Sequence, residues 1–180
     1  MNGKRRLLGS FTHGSMANAL PQAIGAQLSH PGRQVVTLSG DGGLAMLMGD
    51  LLSLRQLQLP VKLVVFNNSA LAFVELEMKA AGILEFATDL HNPDFAKMAL
   101  AAGILGLKAE TPGQVRPLLV DALTHDGPAL VEVVVNRQEL AMPPSIEWDQ
   151  MVSFSLYLIK AVLNGRGDEI IDLAKTNVFR

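Results

Sequence analysis

The sequence predicts an α/β fold, a parallel sheet flanked by helices, followed by a C-terminal helical tail. Three observations carry this reading. Strand-length apolar runs alternate with helical patterns from Val35 to Val135, the order that builds a parallel sheet with helices on both faces. The run Val61–Phe66, rich in Val, Leu and Phe, has the look of a strand covered on both sides. Hydrophobic residues make up 49% of the chain but aromatics only 5%, with the weight on Leu, Ala and Val. That suits helices packed on a buried sheet better than a sandwich of two sheets.

The elements follow in order. Gly9 to Ser15 has a loop composition, and Ala17 to Leu28 reads as a helix whose Ala19, Ala23 and Ala26 permit close packing. His30-Pro31-Gly32 is a turn. Val35–Leu38 is a strand, Leu44–Leu57 an amphipathic helix stopped by Pro60, and Val61–Phe66 the next strand. Leu71–Lys79 is a short helix, and Gly82–Asn92 reads as a mobile segment. Asp94–Ala102 is a helix with an acid near its start, and Leu105–Ala109 a weak strand. Thr111-Pro112 opens a helix to Leu123, with Pro at or near its first position. Ala129–Val135 is the last strong strand. After Asn136 the style changes: Pro143-Pro144 marks a stop, and two helical stretches flank Gly165-Arg166-Gly167. The domain boundary expected from this is 1–138 for the sheet domain and 139–180 for the tail.

With 180 residues there is room for one domain with a real core. A net charge of −2 leaves no electrostatic footprint for nucleic acid. The chain has no cysteine, which excludes disulfide and thiolate chemistry and fits a reducing compartment. No run reaches the roughly 18–20 apolar residues of a membrane span. Lys4-Arg5-Arg6 before Leu7-Leu8 makes a poor signal peptide, because Gly9 and Ser10 end the run at once. The expected location is the cytoplasm.

The chemistry concentrates between Gly40 and Asn68. Gly40-Asp41-Gly42-Gly43 joins a strand end to a helix start, and Asn67-Asn68-Ser69 stands at the end of the next strand. Ligands of open α/β sheets bind outside the carboxyl ends of strands, and glycines at a helix start let backbone N–H groups approach an anion. A carboxylate in the same place would repel a phosphate unless a cation bridged them. Magnesium, with hard oxygen ligands, does so. Asp41 gives one oxygen, Asn68 a second, and a nearby backbone carbonyl a third. Either piece alone also suits a helix cap or an ordinary turn. Together, 27 positions apart on successive strand ends, they favour a metal-bridged diphosphate.

Gly40-Asp41-Gly42 followed by Asn67-Asn68 resembles the thiamine diphosphate fingerprint of decarboxylases, oxidases and synthases acting on 2-oxo acids. Through Gly9–Met16, Gly40–Asp50, Val61–Lys79 and Gly165–Arg180, the chain is more closely similar to the C-terminal part of the bacterial quinone-linked, FAD-containing pyruvate oxidases, which make acetate and CO2. That resemblance implies a thiamine-diphosphate-binding fold with Asp41 and Asn68 as side-chain magnesium ligands and Ala70 as a carbonyl ligand. It implies diphosphate on the N–H groups of Gly42 and Gly43. It places Gly14, Ser15 and Met16 at the aminopyrimidine, with Met16 as an apolar wedge; a core methionine is the alternative. Ser69, Leu71, Ala72, Phe73 and Val74 would complete the cofactor lining. Phe73 and Glu77, four apart on one helix face, would face the active site as catalytic residues, or be a core Phe beside a solvated Glu. His13 and His91 are open in the same way, with His13 the better candidate because it lies in the cofactor loop. The runner-up family is the acetolactate synthases and other thiamine-dependent decarboxylases; a non-catalytic cofactor- or lipid-binding module is the remaining alternative.

The same resemblance implies pyruvate and a quinone as substrates, FAD held mainly by a domain outside this chain, and a homotetramer. In Asp168–Phe179, helical geometry gathers Ile170, Ile171, Leu173, Ala174 and Val178 on one side and Asp168, Glu169, Asp172 and Lys175 on the other. Such a helix suits either a docked position on its own enzyme or a lipid interface. The resemblance favours a phospholipid membrane, with the protein peripheral on the inner face of the cell membrane. Relative to that family the chain starts late. It is expected to lack upstream domains and the opening strand and helix of its own sheet, to expose apolar surface there, and to be inactive on pyruvate alone.

Overall fold

The computed structural model describes residues 6–137 and 148–177. The chain divides into two compact units, Met1–Asn67 with His91–Val135, and Asn68–Leu90 with Asn136–Arg180. Lys4-Arg5, Pro143-Pro144 and the Val178 and Phe179 positions of the tail helix lie outside the described residues.

The first unit holds α1 (Ala19–Ser29), β1 (Val36–Gly40), α2 (Asp41–Met46), α3 (Leu51–Gln56), β2 (Lys62–Asn67), α5 (Phe95–Ala101), β3 (Leu105–Ala109), α6 (Pro112–Thr124) and β4 (Ala129–Val134); α4 belongs to the second unit. The four strands are all parallel, in the order β1-β2-β4-β3. The α/β prediction stands. Alternation along β2 divides the core. Leu63 and Val65 join Leu20, Leu44, Leu54, Phe95 and Leu130 in one cluster, beneath α1, α2, α3 and α5. Val64 joins Ala109, Ala122, Val131 and Val133 in the other, beneath α6. Helix starts follow local chemistry. Asp94 caps α5 by accepting from the Lys97 N–H at 2.8 Å, and Thr111 with Gln114 forms a capping box on α6.

Three expectations shift. Leu44–Leu57 is not one helix: a 3-10 turn at Met48–Asp50, containing the poor helix former Gly49, separates α2 from α3. The start of the first helix is likewise a 3-10 turn, Met16–Asn18. At the β1 edge the sheet is not covered on both faces: Leu38 is 61% and Phe66 42% exposed, with Val36 beside them.

The second unit contains α4 (Ala72–Ala80), α7 (Trp148–Leu163) and α8 (Gly167–Asn177). The segment Gly82–Asn92, read from the sequence as mobile, is tied down within this unit over residues 82–90. Leu71 N–H donates to the Thr88 carbonyl and Leu90 N–H to that of Ser69, both at 2.9 Å. Thr88 Oγ1 donates to the buried Glu75. Glu75 also meets Lys79 and Arg137, Arg137 reaches Asp89, and Glu85 meets Lys79 and Arg166. Tyr157 of α7 is buried beneath the Lys79 ammonium. On α8 Leu173 is buried while Ile171 is 55% exposed, so part of the apolar side docks within its own unit. The larger bare stripe is on α7, where Val152, Leu156, Ile159 and Leu163 are all exposed.

Burial alone would raise the Glu85 carboxyl, but a backbone hydrogen bond, Lys79 and Arg166 outweigh it and hold the pKa below its usual value. A depressed carboxyl gives stability that is fully present above about pH 4.3 and lost as pH falls through the folded value. Helicity, read by circular dichroism, should fall on acidification below about pH 4 as this unit loosens, and Glu85→Gln should remove part of that transition. Identical acid titrations of the two chains would refute this.

Candidate functional site

Asp41 stands where β1 gives way to α2, and only 3% of it is exposed. Its carboxylate is held from two sides: the Gly42 N–H donates to Oδ1 at 2.9 Å, and the Asn92 amide to Oδ2 at 2.7 Å. Both donors are neutral and they fix the direction of the carboxylate. Burying a carboxylate is expensive, and these hydrogen bonds offset part of that cost. Among the described residues no group of three or more His, Cys, Asp or Glu forms a ready-made cage. A single buried carboxylate is the kind of donor that magnesium sites use, with the remaining oxygens from a phosphate ligand and water.

Gly43 shows why the glycines matter. A Cβ built on it would lie 2.4 Å from the Met16 carbonyl oxygen, a distance at which backbone must move. The absence of a side chain therefore lets the loop before α1 close over the start of α2. Since α2 has only six residues, its affinity for an anion rests on individual N–H groups rather than on a long aligned helix. Within the same loop Gly14 takes a left-handed φ of +58° and its N–H donates to Ser10. Ser15 and His13 are exposed, and Met16 is 49% exposed. That leaves the Met16 side chain outside the core.

In the second unit, Asn68 Oδ1 accepts from the Ala70 N–H at 3.1 Å, and Ser69 between them has φ +56°. Such a conformation is uncommon away from glycine and concentrates at functional sites. Ala70 is buried and forms an isolated bridge with Asp89. Leu71 and Ala72 are half-buried, Val74 is 39% exposed, and Phe73 and Glu77 lie exposed on α4. His91 is exposed.

Three side chains escaped the sequence reading. Glu75, not Glu77, is the buried acid of α4. Glu132 is fully buried in β4, where it accepts from Asn67 Nδ2 at 2.7 Å and from the Ala96 N–H at 3.2 Å. Asn92 donates both to Asp41 and, at 2.9 Å, to Asn67 Oδ1. Glu132 had a signal: a lone charge inside the apolar run Ala129–Val134.

The family model described as thiamine pyrophosphate enzyme, C-terminal TPP binding domain, matches residues 1–133. A Bacillus subtilis protein, YdaP, named as thiamine pyrophosphate-containing, is 33% identical over 98% of this chain and 30% of its own length. Acetolactate synthase of Bacillus subtilis is 35% identical over 67% of this chain and 21% of its own. The large subunit of acetolactate synthase isozyme 2 of Escherichia coli is 35% identical over 72% and 24%. The chain thus spans less than a third of the length of these curated relatives.

Proposed function

The chain belongs to the thiamine pyrophosphate enzymes, as their C-terminal cofactor-binding domain, and on that premise we propose that it holds magnesium and the diphosphate of thiamine diphosphate for an enzyme acting on a 2-oxo acid. The observation that carries the proposal is the buried, doubly oriented Asp41 carboxylate beside the side-chain-free Gly43. Asp41, Asn68 and the Ala70 carbonyl would hold the metal, and the Gly42 and Gly43 N–H groups the diphosphate. When bound, thiamine diphosphate supplies the carbon nucleophile and electron sink for cleaving a bond next to a carbonyl. The residues of this chain bind and orient: Asp41 offsets the metal charge, the glycine backbone meets the phosphate oxygens, and Met16 supports the heterocycle from an apolar side. The acetolactate synthase reading draws support from relatives of that name. Calorimetric titration of thiamine diphosphate into the 180-residue chain should show binding that requires magnesium. No heat with either magnesium or manganese would overturn the proposal.

A second reading, the quinone-linked pyruvate oxidase with FAD in a separate domain, draws support from the region beyond residue 133. There α7 presents a bare apolar stripe. Among the described residues no helix is long and apolar enough to cross a membrane. The lipid contact expected from the sequence on Asp168–Phe179 is here moved to α7, whose exposed stripe suits shallow insertion at a lipid surface. Ile159→Glu with Leu163→Glu should reduce co-sedimentation with phosphatidylglycerol vesicles by about tenfold or more, since two large apolar side chains are removed from the contact. Unchanged sedimentation would count against the lipid contact and this second reading with it.

A further inference from the structure

A fully buried glutamate in the middle of an apolar strand calls for a reason. Glu132 is 0% exposed, with Leu130, Val131 and Val133 as its buried strand neighbours. An apolar side chain would fill the position without removing a charge from water. What Glu132 provides instead is a one-directional hydrogen-bond partner. An ionised carboxylate only accepts, whereas an asparagine amide offers either its oxygen or its NH2.

We propose that Glu132 is a positioning residue for Asp41: acting through Asn67 and Asn92, it sets the direction of both amides so that Asn92 presents its NH2 to the Asp41 carboxylate. The geometry runs link by link. Glu132 Oε1 accepts from Asn67 Nδ2 at 2.7 Å, which turns the Asn67 oxygen away from the glutamate. That oxygen accepts from Asn92 Nδ2 at 2.9 Å. The same NH2 has a second hydrogen, directed at Asp41 Oδ2 at 2.7 Å. Glu132 is itself fixed by the Ala96 N–H at 3.2 Å and by the Lys108 ammonium at 3.6 Å, and Lys108 also pairs with Asp94. The start of α5, the end of β2 and the end of β1 are therefore joined to one buried charge. With a neutral group at position 132 the carboxylate no longer dictates which end of the Asn67 amide faces it, and a reversed Asn92 would set its carbonyl against the carboxylate it now holds. The same packed side chains would then leave Asp41 without its second support.

The inference rests on the reading of Asp41 as metal ligand, and two measurements on the full chain separate the two ideas. The first uses the unloaded protein: nitrogen-edited NMR of the Asn67 and Asn92 side-chain NH2 groups. Their protons should exchange slowly in the natural chain and faster in Glu132→Gln, with both chains folded by thermal melting. The second is the magnesium-dependent affinity for thiamine diphosphate. Glu132→Gln and Asn92→Ala should each weaken it by about 10–100-fold, the range for outer-shell supports of a metal ligand. The double variant should be no worse than either single one, because the two act in one chain. If Glu132→Gln does not fold, Asn67→Ala cuts the same chain at its middle and should give the same loss.

Unchanged amide exchange or unchanged affinity in folded Glu132→Gln would overturn the inference, as would fully additive losses in the double variant. A natural chain whose amides behave as expected, but which binds no magnesium–thiamine diphosphate, would instead overturn the metal reading and leave the amide chain standing.

Discussion

Asp41→Ala is expected to abolish magnesium-dependent binding of thiamine diphosphate at concentrations that saturate the natural chain. The loss should exceed the about 10–100-fold that outer-shell changes bring, because the variant removes a ligand rather than its support. Diphosphate then meets the Gly42 and Gly43 N–H groups without a bridging charge. The fold should survive, since the change is confined to a strand end. It leaves the Gly42 N–H and the Asn92 amide short of an acceptor, a penalty of about 1–3 kcal/mol per buried group if water cannot enter. Calorimetry on the two chains with and without magnesium reads the effect, and a thermal melt separates it from unfolding. Equal affinity in a folded Asp41→Ala would remove Asp41 from the site.

Gly43→Ala is the complementary case, in which one methyl group should damage fold and site together. The added carbon would sit 2.4 Å from the Met16 carbonyl oxygen, which is backbone and cannot turn aside as a side chain would. Relief requires α2 or the 3-10 turn at Met16–Asn18 to move, and overpacking of this kind costs about 1–3 kcal/mol. Thermal stability should fall accordingly, and cofactor affinity should drop with it as the Gly42 and Gly43 N–H groups lose their place. Gly113→Ala, where nothing lies within 4 Å of the added carbon, is the control. If Gly43→Ala melts and binds like the natural chain, the tight closure of this loop is not what the position is for.

What the sequence made legible was whatever local rules dictate. The four strands could be read because period and length are local, and β2 showed itself by a nearly unbroken apolar run. Asp41-Gly42-Gly43 could be read because a strand end, a carboxylate and two glycines are adjacent in the chain. The Asp94 and Thr111 caps follow from side chains one turn from their targets. The Asn92 contact could not be read: it reaches Asp41 across 51 positions, and its neighbourhood has the composition of a loose loop. The burial of Glu75 rather than Glu77 could not be read either, for a related reason. Both acids lie on α4, and only Arg137, 62 positions away, and Thr88 show which one is buried. The break between α2 and α3 was missed because the apolar pattern runs through it, and only Gly49 hints at the turn.

Residues 68–90 and the C-terminal helices form one unit although 45 positions of sheet separate them in the chain. A stop codon after Val135 would therefore remove more than an appendage. It would take Arg137 from Glu75 and Asp89, Arg166 from Glu85, and the Tyr157 ring from Lys79, stripping the buried Glu75 and Lys79 of α4 of part of their surroundings. A truncated protein that stops binding lipid or cofactor would thus say as much about α4 as about the missing end. Transplanting the tail onto a relative meets the same obstacle, because the graft needs three crossovers, two bracketing 68–90 and one after β4. Inheritance should treat the two segments as a pair, with changes in one answered by changes in the other.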